Sequence, residues 1–363
     1  MTIIQVGLIL SSVRRVVKLF GSALDVLDVP ERVALKRAWV DALCRKIVKA
    51  NSPRDPYDVL AYRLVEEAPS FFDLAGKIEL PTWMTPRPEQ ADMPYLHSEN
   101  FRMAMEDEIE LSVMDDCMDF CLSNILPSIC GLLSTDHSTS AGCYLACADY
   151  YGKENVSLLV VDSHFDAVPL PLRIPMERKN PHFALMKDTF NCGNFIGWLI
   201  DEFETPPHNI IVVGPSDYPP APATDEKKEV YNYREAYLSF LERGVRVFPK
   251  SDVREATFWA EFEETLDEIK TPYVYVSLDA DAGCANCTNA VRFMDTVGLD
   301  EMSLMKIAWV VSKRVGEGRF ELAGFDVSEI DVHFLGLEGP EGEKDRTEEV
   351  CNMFIKVLTG CET

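Results

Sequence analysis

Residues 156–166 read VSLLVVDSHFD. An aliphatic run broken only by Ser157 leads directly into three potential metal ligands, Asp162, His164 and Asp166. A run this short and apolar reads as a strand buried on both faces, as in a parallel sheet covered by helices. Two other stretches share the form. LPSICGLL (126–133) leads into STDHS with Asp136 and His137, and YVYV (273–276) leads into SLDAD with Asp279 and Asp281. Charged and imidazole side chains at the ends of buried strands are costly unless they are paired or bind a metal. If the chain stays extended, residues 162, 164 and 166 point to one side, as do 279 and 281.

Outward from these stretches the pattern stays regular. From about Leu126 onward, apolar runs (SICGLL, VSLLVVD, NIIVVGP, VRVFP, YVYVSLD and ELAGFDVSEI) alternate with helical ones. The helical runs are AGCYLACADYYG, NFIGWLIDEF, YREAYLSFLERG, REATFWAEFEETLDEIK and EMSLMKIAWVVSKRV, the fourth opened by Ser251-Asp252 as its cap. Alternation of this kind predicts a three-layer α/β/α fold with a mostly parallel sheet, whose ligands bind beyond the carboxyl ends of the strands. Residues 1 to about 75 read mostly helical, and 80–100, rich in proline and polar groups, read as a surface loop. We therefore divide the chain into a largely helical N-terminal region, 1–105, and an α/β core, 106–363. A second exposed loop, PSDYPPAPATDEKKEVYN, follows the NIIVVGP strand.

Composition narrows the function. A net charge of −25 argues against nucleic acid and anionic membrane as partners. The 11 cysteines are scattered and odd in number, which fits a reducing cytoplasm with thiols serving as small core residues. The N-terminal run MTIIQVGLILSSVRR lacks the basic start of a signal peptide, and no stretch is long and apolar enough to span a bilayer. Four carboxylates and two imidazoles make a hard-to-borderline donor set. It suits two divalent ions sharing carboxylates, manganese first, with nickel, cobalt, iron or zinc as alternatives.

At these residues the sequence resembles the arginase/agmatinase (ureohydrolase) family, whose strand ends carry G-G-D-H-S, D-A-H-x-D and S-x-D-x-D in this order. The resemblance covers roughly residues 126–335. It implies that His137, Asp162, Asp166 and Asp279 bind one ion and that Asp162, His164, Asp279 and Asp281 bind the other, with Asp162 and Asp279 bridging. Asp166 and His164 are the candidate catalytic residues, Asp166 orienting a metal-bridging hydroxide that attacks a guanidinium carbon to release urea and an amine. Glu329, in GFDVSEID, would hold the cationic guanidino substrate. Cys192, in NCGNF, falls where arginases often place a histidine and is a candidate pocket residue. The family commonly forms trimers or hexamers, so a homo-oligomer is expected by analogy.

The sequence departs from the family pattern at the pocket. Ser134 and Thr135 replace both glycines of G-G-D-H-S. No first strand is visible in residues 1–105. The family's D-P-x-x-x-P-x-T-G-T-P run is replaced after Asp281 by AGCANCTNAVRFM, where Cys284 and Cys287 read as pocket wall or packing rather than a redox pair. Arginine itself is thus a poor guess for the substrate. Two other readings stay open: a catalytically silent relative with structural or ligand-sensing ions, and a zinc deacetylase-like amide hydrolase.

Overall fold

The computed structural model describes residues 16–27, 29–49, 52–177, 188–219, 221–222, 227–294, 297–338, 342 and 344–361. Eight strands form one sheet: β1 (Val17–Ser22), β2 (Phe72–Lys77), β3 (Ile129–Ser134), β4 (Val156–Val161), β5 (Ile210–Val213), β6 (Arg246–Phe248), β7 (Tyr273–Asp279) and β8 (Glu321–Ser328). Their order is β2-β1-β3-β8-β7-β4-β5-β6, and every pair is parallel. The continuous apolar runs do form strands: all of β4 and β5 is buried, as is β7 beyond its first residue.

Alternate residues of each strand feed two separate cores. Leu132, Val160 and Tyr275 pack under the helices Ile109–Asn124, Ser140–Tyr151 and Lys228–Glu242. Leu133, Leu159, Val161, Val276 and Phe325 pack under Pro56–Glu67, Phe258–Glu268, Glu301–Gly316 and Thr347–Thr359. These are the three layers predicted from the strand–helix alternation. Among the described residues no helix is long and apolar enough to cross a membrane, and all 11 cysteines are free thiols.

Register places the strand ends level. Leu133 pairs with Val327, Leu278 with Val327, and Val161 with Leu278. The next residue in each strand, Ser134, Ser328, Asp279 and Asp162, therefore stands on one rim.

The N-terminal region differs from its mostly helical reading. It contains the helices Pro30–Cys44, Pro56–Glu67 and Ser98–Glu106, but also β1 and β2, which extend the same sheet beyond β3. A first strand is thus present. Its segment VKLFGS merges into a longer apolar stretch with no turn signal before it, and β2 is a half-exposed edge strand. The 80–100 segment is not wholly superficial, since Met84, Asp92 and Leu96 are buried. Ser251 and Asp252 lie inside a separate short helix, Lys250–Val253, and the next helix begins after Thr257. The run starting at Met1 and parts of the 215–232 insert lie outside the described residues.

The helices Ser140–Tyr151 and Ile109–Asn124 touch at Gly142, where a Cβ would stand 2.2 Å from the Met114 carbonyl oxygen. Backbone cannot give way as a flexible side chain can. Gly142→Ala should destabilise the fold by about 1–3 kcal/mol, read as a lower urea midpoint with an unchanged slope; an unchanged midpoint would show that the helices separate freely.

Candidate metal centre

Each of the three strand ends makes the same local turn. The first aspartate accepts a hydrogen bond through Oδ1 from the backbone N–H two residues on: Asp136 from Ser138 at 3.0 Å, Asp162 from His164 at 2.7 Å, and Asp279 from Asp281 at 2.7 Å. This side-chain turn ends the strand. It leaves Oδ2 of Asp162 and Asp279 free to face the rim. The side chains therefore converge through turns rather than through continued strand alternation. Asp166 lies in the left-handed region at φ 49°, a conformation that costs a non-glycine residue about 1 kcal/mol or more and persists where surroundings impose it.

All six residues singled out as metal ligands gather here. His137 Nδ1 stands 3.1 Å from Asp279 Oδ2, 3.2 Å from Asp162 Oδ2 and 3.4 Å from Asp166 Oδ2. His164 Nδ1 lies 3.1 Å from Asp281 Oδ2 and 3.6 Å from Asp162 Oδ1. Two groups result, His137–Asp162–Asp166–Asp279 and Asp162–His164–Asp281, and Asp162 belongs to both. Asp279 falls only in the first group.

The residues fit a pair of cations. His137 Nδ1, Asp162 Oδ2 and Asp281 Oδ2 are buried without a hydrogen-bond partner. Such orphaned atoms cost about 1–3 kcal/mol each, and more when charged, unless a ligand takes them up. Supporting groups fix the ring and carboxylates: Ser277 Oγ lies 2.8 Å from His137 Nε2 and donates to Asp326 at 2.9 Å, and Ser163 Oγ donates to Asp281 at 2.8 Å. Partners of this kind set the tautomer and orientation of a metal-binding imidazole.

Electrostatics carries the same message. Burial, with Asp166 and Asp281 nearby, pushes the Asp162 carboxyl up to about 7. Burial together with Asp281 and Asp162 raises Asp279 well above its usual range. Burial disfavours the His137 imidazolium, yet the carboxylates around Nδ1 outweigh it and raise the ring's pKa well above its usual value. Burial likewise opposes ionisation of Asp281, but His164 prevails and lowers it to about 2.

Several neighbours were not anticipated. Arg173 donates to Asp166 Oδ1 at 3.3 Å. Arg292 donates through Nη1 to Asp136 Oδ2 at 2.9 Å and to Glu329 Oε1 at 3.0 Å. Glu329, the expected substrate-binding residue, is buried, and its Oε1 also accepts the His137 N–H at 2.8 Å. Cys192 does lie beside the Asp136 and Glu329 carboxylates. Cys284 is core packing, and Cys287 donates to the Leu299 carbonyl at 3.5 Å. The buried Asp326, inside an apolar strand, was a legible signal; Arg173 and Arg292 sit in stretches with no motif of their own.

A sequence model of the Arginase family matches residues 87–334, more than half of the chain. The chain belongs to that family. No match to a curated protein emerges. Among solved structures, the Bacillus caldovelox arginase superposes with a TM-score of 0.59 at 12% identity, covering 96% of this chain and 99% of that one. Formimidoylglutamase from Bacillus subtilis gives 0.58 at 14% identity, over 95% and 86%. Trypanosoma cruzi formiminoglutamase with Mn²⁺ gives 0.55 at 14% identity, over 95% and 92%. At such identities these likenesses establish the fold.

A cation entering this centre must displace protons. Asp162, Asp279 and His137 all have raised folded pKa values, so each contributes stability that is full below its unfolded pKa and lost as pH rises through its folded one. These three groups therefore contribute less to the metal-free protein toward neutral pH, while metal affinity grows. The gap in melting temperature between MnCl₂-treated and EDTA-treated protein should widen between about pH 5 and pH 8. A constant gap, or one larger in acid, would contradict the proposed ligation.

Proposed function

We propose that this protein is a two-metal hydrolase of a linear amidino C–N bond, releasing urea and an amine when the substrate is a guanidino compound. The observation that carries this reading is the pair of ligand groups sharing Asp162 on one rim of the sheet. The oxygen-rich, imidazole-containing donor set suits Mn²⁺ best, with Ni, Co, Fe or Zn as alternatives, and the Trypanosoma cruzi structure of the same fold holds Mn²⁺. When bound, two such ions would supply a water activated near neutral pH and neutralise charge developing on the attacked carbon.

The chain's own residues then divide the remaining work. His137, Asp162, Asp166 and Asp279 would hold the first cation, and Asp162, His164 and Asp281 the second. Burial opposes the charge on Asp166, but His137 and Arg173 overcome it and keep the carboxyl below its usual range. It therefore remains an acceptor for a proton leaving the nucleophile. His164 is the most open of the six side chains, at 13% exposure, and marks the side from which a substrate approaches. The buried Phe195 ring packs 4.6 Å from the His137 ring and presents an apolar face to it.

Metal analysis followed by a product screen tests this reading. The screen spans arginine, agmatine, guanidinobutyrate, guanidinopropionate, guanidine and formiminoglutamate. Two ions per chain with turnover of one of these compounds is expected. Asp166→Asn should then lower kcat about 10²- to 10⁴-fold while most of the metal is retained; parallel loss of metal and rate would remove the catalytic role. Two ions without any turnover would favour the silent relative, and one zinc with acetate release from a separately supplied N-acetylated amine the deacetylase.

A further inference from the structure

The loop that replaces the family's usual run after Asp281 returns to the metal rim through a short backbone clamp. Asp331 N–H donates to the Ala290 carbonyl, and Arg292 N–H donates to the Glu329 carbonyl, both at 2.9 Å. Val291 and Ile330 form an antiparallel bridge between them. The clamp fixes Arg292 beside Glu329, itself held in the left-handed region at φ 59°.

From there the Arg292 side chain turns inward and is fully buried. Nη1 donates to the Thr135 carbonyl at 2.9 Å, to Asp136 Oδ2 at 2.9 Å and to Glu329 Oε1 at 3.0 Å, and Nη2 lies 3.6 Å from Asp25 Oδ1. Three carboxylates from three separated segments thus surround one guanidinium. The pocket adjoins the metal centre, because Glu329 Oε1 also takes the His137 N–H. It is also imperfectly filled: Arg292 Nε and Nη2, Glu329 Oε2 and Thr135 Oγ1 are buried without hydrogen-bond partners. A planar cation bound through such carboxylates has the geometry that a free guanidinium would use.

We propose that Arg292 is a resident guanidinium that permanently fills a guanidinium-binding pocket next to the metal centre and thereby sets the specificity of the site. With Arg292 in place, Asp136 and Glu329 already share a guanidinium, which occupies the position and reduces the counter-charge a free guanidino cation would use. Arg173, on Asp166, adds a second fixed cation at the same rim. The site then selects amidino compounds that are neutral overall or carry their own carboxylates. This consequence for substrate class rests on the hydrolase reading; the occupancy of the pocket does not.

Removing Arg292 should open a vacancy that guanidinium itself refills. The full chain and its Arg292→Ala and Arg292→Lys variants would be melted with about 10 mM guanidinium chloride, far below the molar concentrations that denature proteins, and with equal urea or KCl as controls. The expected result is a lower melting temperature for Arg292→Ala, regained by about 2–4 °C in guanidinium alone. The unsubstituted chain and Arg292→Lys, whose pockets stay filled by a cation, should show no guanidinium-specific gain. An equal gain in the unsubstituted chain, or an Arg292→Ala variant indifferent to guanidinium, would overturn the proposal. If Arg292→Ala is recovered only unfolded, its refolding yield with and without guanidinium replaces the melt: rescue supports the pocket, and equal yields overturn it. Absence of metal or turnover would count against the hydrolase reading alone and would leave the rescue experiment standing.

Discussion

Four carboxylates and two imidazoles meet at one rim of a parallel sheet, five of the six side chains almost entirely removed from water. Within each group the ligand atoms lie no more than 4.8 Å apart. Two like charges about 4 Å apart repel by about 4 kcal/mol at an effective dielectric of 20. Protons on His137, Asp162 and Asp279 can relieve part of that repulsion, but they leave buried oxygens and a ring nitrogen without partners. Cations relieve all of it at once. The rest of the architecture serves this condition: register levels the strand ends, the aspartate turns direct Oδ2 toward the rim, and Ser277, Ser163 and Asp326 brace the ligands from behind.

The same balance of charge extends past the metal centre. Asp25 pairs with Arg32 and Lys36 beneath the rim, Arg32 also reaches Asp331, and Arg292 joins Asp25 to Asp136 and Glu329. This buried network ties the loop after β1 and the helix Pro30–Cys44 to the strand ends at the rim. The N-terminal region is therefore part of the support for the site, although the family match begins only at residue 87. Breaking one member of such a network leaves an uncompensated buried charge, which is far costlier than losing a surface pair.

Much of this was legible in the sequence, for identifiable reasons. A strand buried on both faces has to be apolar throughout, so β3, β4, β5, β7 and β8 announced themselves, and the charged residues ending three of them stood out by contrast. The gathering of His137, Asp162, His164, Asp166, Asp279 and Asp281 followed from that contrast. The reason offered for it did not hold, because turns and a left-handed Asp166 bring the side chains together where strand alternation was expected. β1 and β2 were missed because one merges into a longer apolar run and the other is a half-exposed edge. The engagement of Glu329 with Arg292 could not be read at all: it joins positions 37 residues apart through a loop without periodicity or motif.

The central proposal is that this rim would hold two cations side by side through a shared Asp162. Electron paramagnetic resonance of the Mn²⁺-loaded protein addresses it without reference to any substrate. Ions bridged by one carboxylate, about 3.5–4 Å apart as in two-metal sites, should give the broad, temperature-dependent spectrum of an exchange-coupled pair. A simple six-line spectrum from isolated Mn²⁺, unchanged up to saturation, would contradict the account.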